Sequence, residues 1–202
     1  MLRLRRGAAV PHGGEAMRKL ILLLAAACAA TAANGAVIVI GSTDAQACYQ
    51  AAKAERASAA GIELCTTAID SRELNARDLT ATQINRGILH MYGRDFGAAL
   101  ADYDAAIASP TQFGEAHVNR AIALLRMDQR RARDAVQALT RGIELGTNER
   151  EVAHYMRAVA YEILGDAKNA YLDYRAAAAL KPSWQDPKVA LRRFQVAKAS
   201  TG

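Results

Sequence analysis

The chain has 202 residues, 51% of them hydrophobic and 23% charged, with a formal charge of +6. Five basic and two acidic side chains lie in residues 1 to 47, so the remaining 155 residues carry +3. The high isoelectric point is therefore no footprint of a nucleic-acid binder, and 155 residues suffice for one domain with a continuous core.

The first 47 residues read as an address. Met17-Arg18-Lys19 precedes Leu20 to Ile40, a 21-residue run without a charged side chain, and Ala45-Gln46-Ala47 follows it. A basic flank, an apolar stretch and a small-x-small site compose a secretory signal peptide over 17–47, with the mature chain starting near Cys48. The length of the run also suits an uncleaved anchor. A third reading is lipidation at Cys28, although Ala25 holds the place where such signals usually carry Leu. In the signal and anchor readings the positive flank stays inside, so the repeats are exported. They are then periplasmic or secreted, or held at the inner membrane through residues 20–40. Residues 1–16 are basic and Gly-rich, precede a complete signal, and read as a mis-assigned start.

With Cys28 in the leader, Cys48 and Cys65 remain. An even pair in an exported domain points to a disulfide, worth about 3 kcal/mol for a loop of this size. Two buried thiols acting as small hydrophobes are the alternative. The two cysteines fall on a degenerate helical hairpin over 48–79. Its first helix is expected over Gln46–Arg56. Its second starts after the N-cap Ser58 and carries Gly61-x3-Cys65-x2-Ala68-Ile69.

Three fuller copies follow, over 80–113, 114–150 and 151–184. Asn85-Arg86-Gly87 recurs as Asn119-Arg120-Ala121 and as Met156-Arg157-Ala158, at offsets of 34 and 37 residues. Each opens a helical run, and the second runs also match: Ala99-x3-Tyr103-x2-Ala106, Ala135-x3-Leu139-x2-Gly142 and Ala170-x3-Tyr174-x2-Ala177. A period near 34 residues with this grammar specifies an all-α helix–turn–helix solenoid. Gly87, Ala121 and Ala158 sit where paired helices cross and must be small. Tyr103, Leu139 and Tyr174 fill the space between helices. Asp95 and Asp166 can cap the second helices, and Pro110 and Pro182 stop them. Residues 185–202 close the array with an amphipathic helix, Pro187 to Ala199. Its apolar contacts are Val189, Leu191, Phe194 and Ala197, and Arg192, Arg193 and Lys198 face water.

This spacing resembles the tetratricopeptide repeat (TPR) family, exported bacterial type. The third copy fits best, with His154, Ala158, Tyr161, Gly165, Ala170, Tyr174, Ala177 and Pro182 in phase. The family's Trp is absent from all copies, and the second lacks the Pro and carries extra residues at Arg130-Arg131-Ala132-Arg133. The resemblance implies a right-handed solenoid of about three repeats that binds protein partners on a concave face lined by first-helix residues. The matching positions are Ile84, Asn85, Ile88, Tyr92, Val118, Asn119, Ile122, Tyr155 and Val159. They form an apolar strip with amide donors, suited to an extended or helical peptide. The polar clamp for a C-terminal carboxylate, known in the family, is missing.

Nothing in the chain composes a catalytic, metal or cofactor site. His-Glu-x-x-His, Cys-x-x-Cys and Gly-x-Ser-x-Gly are absent. His117 and His154 sit one repeat apart, roughly 10 Å, too far to share a zinc ion. The arginines around Arg130 read as a solvated turn, and without aromatic neighbours they do not form a single-stranded nucleic-acid surface. Arg86 and Arg157 are each followed sixteen residues later by an acid, Asp102 and Asp173, which predicts salt bridges between antiparallel helices. In the second copy Ala138 replaces the acid, and Arg120 needs another partner. The expected function is a non-catalytic protein–protein interaction module of the cell envelope. The alternative is a homo-oligomeric assembly subunit whose groove holds its neighbour.

Overall fold

The computed structural model describes residues 4–6 and 35–196. The helices are α1 (Thr43–Lys53), α2 (Ala59–Asp70), α3 (Ala76–Tyr92), α4 (Phe96–Ala108), α5 (Gly114–Met127), α6 (Ala132–Glu144), α7 (Arg150–Ile163), α8 (Ala167–Leu180) and α9 (Asp186–Leu191). A short 3-10 turn, Gln129–Arg131, precedes α6. The strands β1 (Leu4–Arg6) and β2 (Phe194–Val196) pair antiparallel. The chain divides into a unit running from Ala32 to Glu149 and a second that carries Arg150–Gly202.

In the first unit, α1 to α6 pack on their neighbours in sequence, α1 on α2 through α5 on α6. The helix starts follow from local chemistry. Ser42, Ser58, Asn75 and Asp95 each accept the backbone N–H three residues on, capping α1, α2, α3 and α4. The small crossing residue is required where α3 meets α4: a Cβ on Gly87 would lie 2.6 Å from a ring carbon of Tyr103. Tyr103 is fully buried there, as is Leu139 at the matching place on α6.

The expected disulfide joins Cys48 on α1 to Cys65 on α2, with Cα atoms 4.8 Å apart. Helix α1 starts at Thr43, three residues before the expected Gln46. Residues 35–47, which the sequence reading gave to the leader, are thus part of this unit. Gly35–Ile40 is extended and α1 follows it, with Ala45 and Cys48 wholly buried. Met17, Cys28 and the rest of the expected signal up to residue 34 lie outside the described residues.

The second unit holds the helix pair α7–α8 and the short α9 packed on α8. Asp166 caps α8 through the Asn169 N–H. Tyr174 is fully buried, and Tyr155 packs edge-on against it at 5.4 Å and against Trp184 at 4.8 Å. The final helix is shorter than the expected 187–199. It ends at Leu191, where Arg192 and Arg193 lead into β2. Pro187, Ala190 and Phe194 are buried, whereas Val189 points to solvent. Arg193 does not simply face water: its guanidinium donates to Glu162 Oε2 at 2.6 Å. Tyr174 donates its hydroxyl to the same oxygen at 2.6 Å.

Candidate functional site

The repeated Asn-Arg pair directs two side chains to opposite tasks. The arginine holds the helix pair together. Arg86 on α3 meets Asp102 on α4 through Nε (3.0 Å to Oδ2) and Nη2 (2.7 Å to Oδ1), and also reaches Thr66 on α2 at 3.1 Å. Arg157 on α7 grips Asp173 on α8 in the same way, at 2.7 and 2.9 Å, and His154 adds a contact of 2.8 Å. Burial alone would raise the Asp173 carboxyl, but hydrogen bonds from Arg157 and His154 outweigh it and hold the group below its ordinary value. Arg120, without an acid at the matching place, bonds Asp104 on α4 at 2.6 Å.

The asparagine faces the other way, toward a strand. Gly35–Ile40 lies extended across α3 and α5, with alternating burial: Gly35, Val37 and Val39 are inside, whereas Ile38 and Ile40 are 59% and 75% exposed. Asn85 makes a two-point contact with one residue of it. The Val37 N–H donates to Asn85 Oδ1 at 2.9 Å, and Asn85 Nδ2 donates to the Val37 carbonyl at 2.8 Å. The side-chain amide thereby replaces a neighbouring strand's backbone. Asn119 on α5 donates Nδ2 to the Gly35 carbonyl at 3.4 Å. Asp78 accepts the Ile40 N–H at 3.3 Å.

The spacing of these contacts has a simple origin. Asp78 and Asn85 are two helical turns apart, a rise of about 10.5 Å. Val37 and Ile40 are three strand residues apart, about 10 Å. One face of α3 is therefore in step with an extended chain running antiparallel to it. The same face continues to Tyr92, a further seven residues along, whose hydroxyl is pushed up to about 12, mainly by burial.

The expected groove positions fare unevenly. Asn85 and Asn119 are at the strand. Ile84, Ile88, Val118 and Ile122 are essentially inaccessible in the first unit, so none of them is an open lining residue. Tyr155 and Val159 belong to the second unit, where both are buried and Trp184 covers Tyr155. The strand 35–40 and Asp78 escaped the sequence reading. Val-Ile-Val-Ile bounded by Gly35 and Gly41 is a strand signature. It was hidden because it continues the apolar run that begins at Leu20.

The surface charges are occupied elsewhere. A hollow of about 460 Å³ is lined by Asp104, His117, Arg120, Arg131, Asp134 and Arg141 among others. Each arginine in it has an acidic neighbour: Arg120 with Asp104, Arg131 with Asp134, and Arg141 with Glu144. Burial, then Arg141 and Arg120, hold the His117 imidazole below its ordinary value. In the arginine-rich turn Arg130 folds onto Asp128 at 2.9 Å. Among the described residues no group of His, Cys, Asp or Glu is arranged to hold a metal ion.

Helices paired in sequence order, with an ion pair inside the α3–α4 and α7–α8 hairpins, define a TPR-like helical-repeat fold. No protein-family model matches the chain, and no curated protein matches it. Among solved structures it is similar to the crystal structure of MamA, with a TM-score of 0.60 and 18% identity, over 75% of this chain and 82% of that one. At that identity the likeness carries the fold alone.

Proposed function

We propose that this protein is a non-catalytic interaction module of the bacterial cell envelope that binds an extended peptide across α3 and α5. One observation carries the reading: Asn85 pairs with both backbone groups of Val37, as a receptor amide reads a strand independently of its side chains. Asn119 occupies the same place in the next repeat and meets the same strand. The test is capture of envelope proteins by crosslinking with the parent and with Asn85→Ala/Asn119→Ala. Helical content should persist and partner capture should fall sharply. Unchanged capture places binding elsewhere on the surface. Glutamate at Ile88 and Ile122 is a poor probe, because both are buried and the change would unfold the unit.

The envelope assignment rests on the basic flank, the apolar run and the Cys48–Cys65 bridge. Taking Gly35–Ile40 out of that run leaves Leu20 to Asn34, 15 residues, the length of an ordinary signal core. A cut after Ala47 would remove the strand, the Ser42 cap and the first turn of α1. We therefore place processing just ahead of Gly35, after the small residues Ala30 to Ala33. N-terminal sequencing of protein from the envelope should begin between Thr31 and Gly35, and a start at Cys48 would reject this boundary.

A self-assembly reading rests on the same strand, since one copy's Gly35–Ile40 could lie in the next copy's groove. Light scattering behind size exclusion decides it, because a constant monomer mass argues against assembly.

A further inference from the structure

The groove carries more information than a generic peptide site. We infer that it selects an uncharged extended segment with a small residue followed by two β-branched residues at alternate positions, and that Gly35–Ile40 is a resident version of that ligand which a partner displaces. This rests on the peptide-groove reading above.

The selectivity follows from the seat of each residue. A Cβ on Gly35 would lie 2.6 Å from Asn119 Nδ2, so a larger residue there would push the Asn119 amide off the backbone carbonyl it holds. Val37 and Val39 point inward and are buried, which suits compact β-branched side chains. Asp78 at this seat already accepts the Ile40 N–H and the Asn75 side-chain amide, and the half-exposed Arg77 pairs with it at 3.6 Å, so an acidic ligand side chain would have to compete with Asp78 for that guanidinium. Outward positions are unrestricted.

The displacement follows from an unfilled bond. Asn85 uses both its amide atoms on the strand. Asn119, equally buried and one repeat on, uses only Nδ2, at 3.4 Å, and its Oδ1 is buried without a hydrogen-bond partner. A buried acceptor left unpaired is a standing cost. A segment whose backbone keeps register across both asparagines donates an N–H to that oxygen and makes the two-point contact twice. The resident strand makes it once and is the weaker occupant.

The test uses the full chain and a labelled peptide of sequence Gly-Ala-Val-Ile-Val-Ile-Gly-Ser, that of residues 35–42, with a second peptide carrying Asp for both Val. Val37→Asp/Val39→Asp in the protein unseats the resident strand. The Val peptide should bind this variant at least about tenfold more tightly than the parent, and Asn85→Ala in the same background should remove the gain. The Asp peptide should not bind. In the parent, hydrogen exchange at the Val37 amide should be slow, and excess Val peptide or Asn85→Ala should accelerate it. Equal, Asn85-dependent binding of both peptides overturns the selectivity and leaves the groove reading intact. Absence of any Asn85-dependent binding overturns the groove reading itself. Equal binding to parent and unseated variant shows that the strand is no competitor. Should the double variant not fold, the exchange experiment on the parent decides, and a Val37 amide indifferent to added peptide overturns the inference.

Discussion

The first and third repeats share a frame and differ in what they present. Both brace their helix pair with an arginine on the first helix and an aspartate sixteen residues on, at 2.7 Å in each case. They part at the residue just before the arginine. In α3 it is Asn85, which binds a strand; in α7 it is Met156, fully buried in a unit where Tyr155 is sealed by Trp184. The frame is thus set by an ion pair that any repeat can carry. What the first helix presents is set by one neighbouring position, Asn85 against the backbone of Val37 in α3 and the buried Met156 in α7.

Removing the aspartates should show the frame most strongly. Asp173→Ala removes the carboxylate that both Arg157 and His154 hold at 2.7 to 2.9 Å and should cost about 3 kcal/mol. Asp102→Ala should cost less, about 2 kcal/mol, because the histidine contact it removes is 3.9 Å long, from His90, against 2.8 Å from His154 to Asp173. Hydrogen exchange on α7 and α8 against α3 and α4 would rank the two, and equal costs would show that His154 adds nothing.

Exchanging the divergent residue tests the second half of the comparison. Met156→Asn buries an amide without a strand to satisfy it and should destabilise α7–α8 by about 2 kcal/mol. Asn85→Ala should cost about 1 kcal/mol, because the strand 35–40 can lift and hydrate its backbone. Chemical denaturation followed at each unit separates the two, and a harmless Met156→Asn would mean that the third repeat has room for a backbone after all.

A smaller effect is read in acid. The folded form holds Asp173 below its ordinary value of 3.8, because Arg157 and His154 outweigh burial. Its contribution is present above that value and is lost as pH falls through the lowered one. The stability gap between parent and Asp173→Asn, measured by denaturant titration of the second unit, should therefore be wide at neutral pH and close in acid. A gap constant with pH would remove the charge from the explanation.

The smallest effect lies in the turns. The same hydrogen-bond pattern closes both, Asp95 N–H to the His90 carbonyl and Asp166 N–H to the Tyr161 carbonyl, each at 2.9 Å. The left-handed position is Gly165 in the third repeat, with φ 79°, but Arg94 in the first, with φ 62°. Arg94→Gly should stabilise the first unit by about 0.5 kcal/mol, after the glycine's larger unfolded-state entropy is counted. Thermal unfolding would register it, and a loss of stability would show that the Arg94 side chain contributes packing.

Much of this molecule is local, and the local part was legible. Ser58, Asp95 and Asp166 cap helices because a short oxygen-bearing side chain reaches the N–H three residues on wherever the sequence puts it. Gly87 and Tyr103, Arg86 and Asp102, and Cys48 and Cys65 each meet within one hairpin, so the repeat spacing alone brings them together. The strand across α3 and α5 is another matter. Val37 and Asn85 are 48 residues apart, and Gly35 and Asn119 are 84 apart, with no shared period. Residues 35–40 are as apolar as the run before them, and composition alone does not set them apart from it. What composition lacks, the tertiary structure adds: buried asparagine amides stand where the backbone of residues 35–40 bonds them. Ile88 and Ile122, expected in an open strip, are fully buried in the first unit, because helical spacing gives which residues share a face but not which neighbour covers that face.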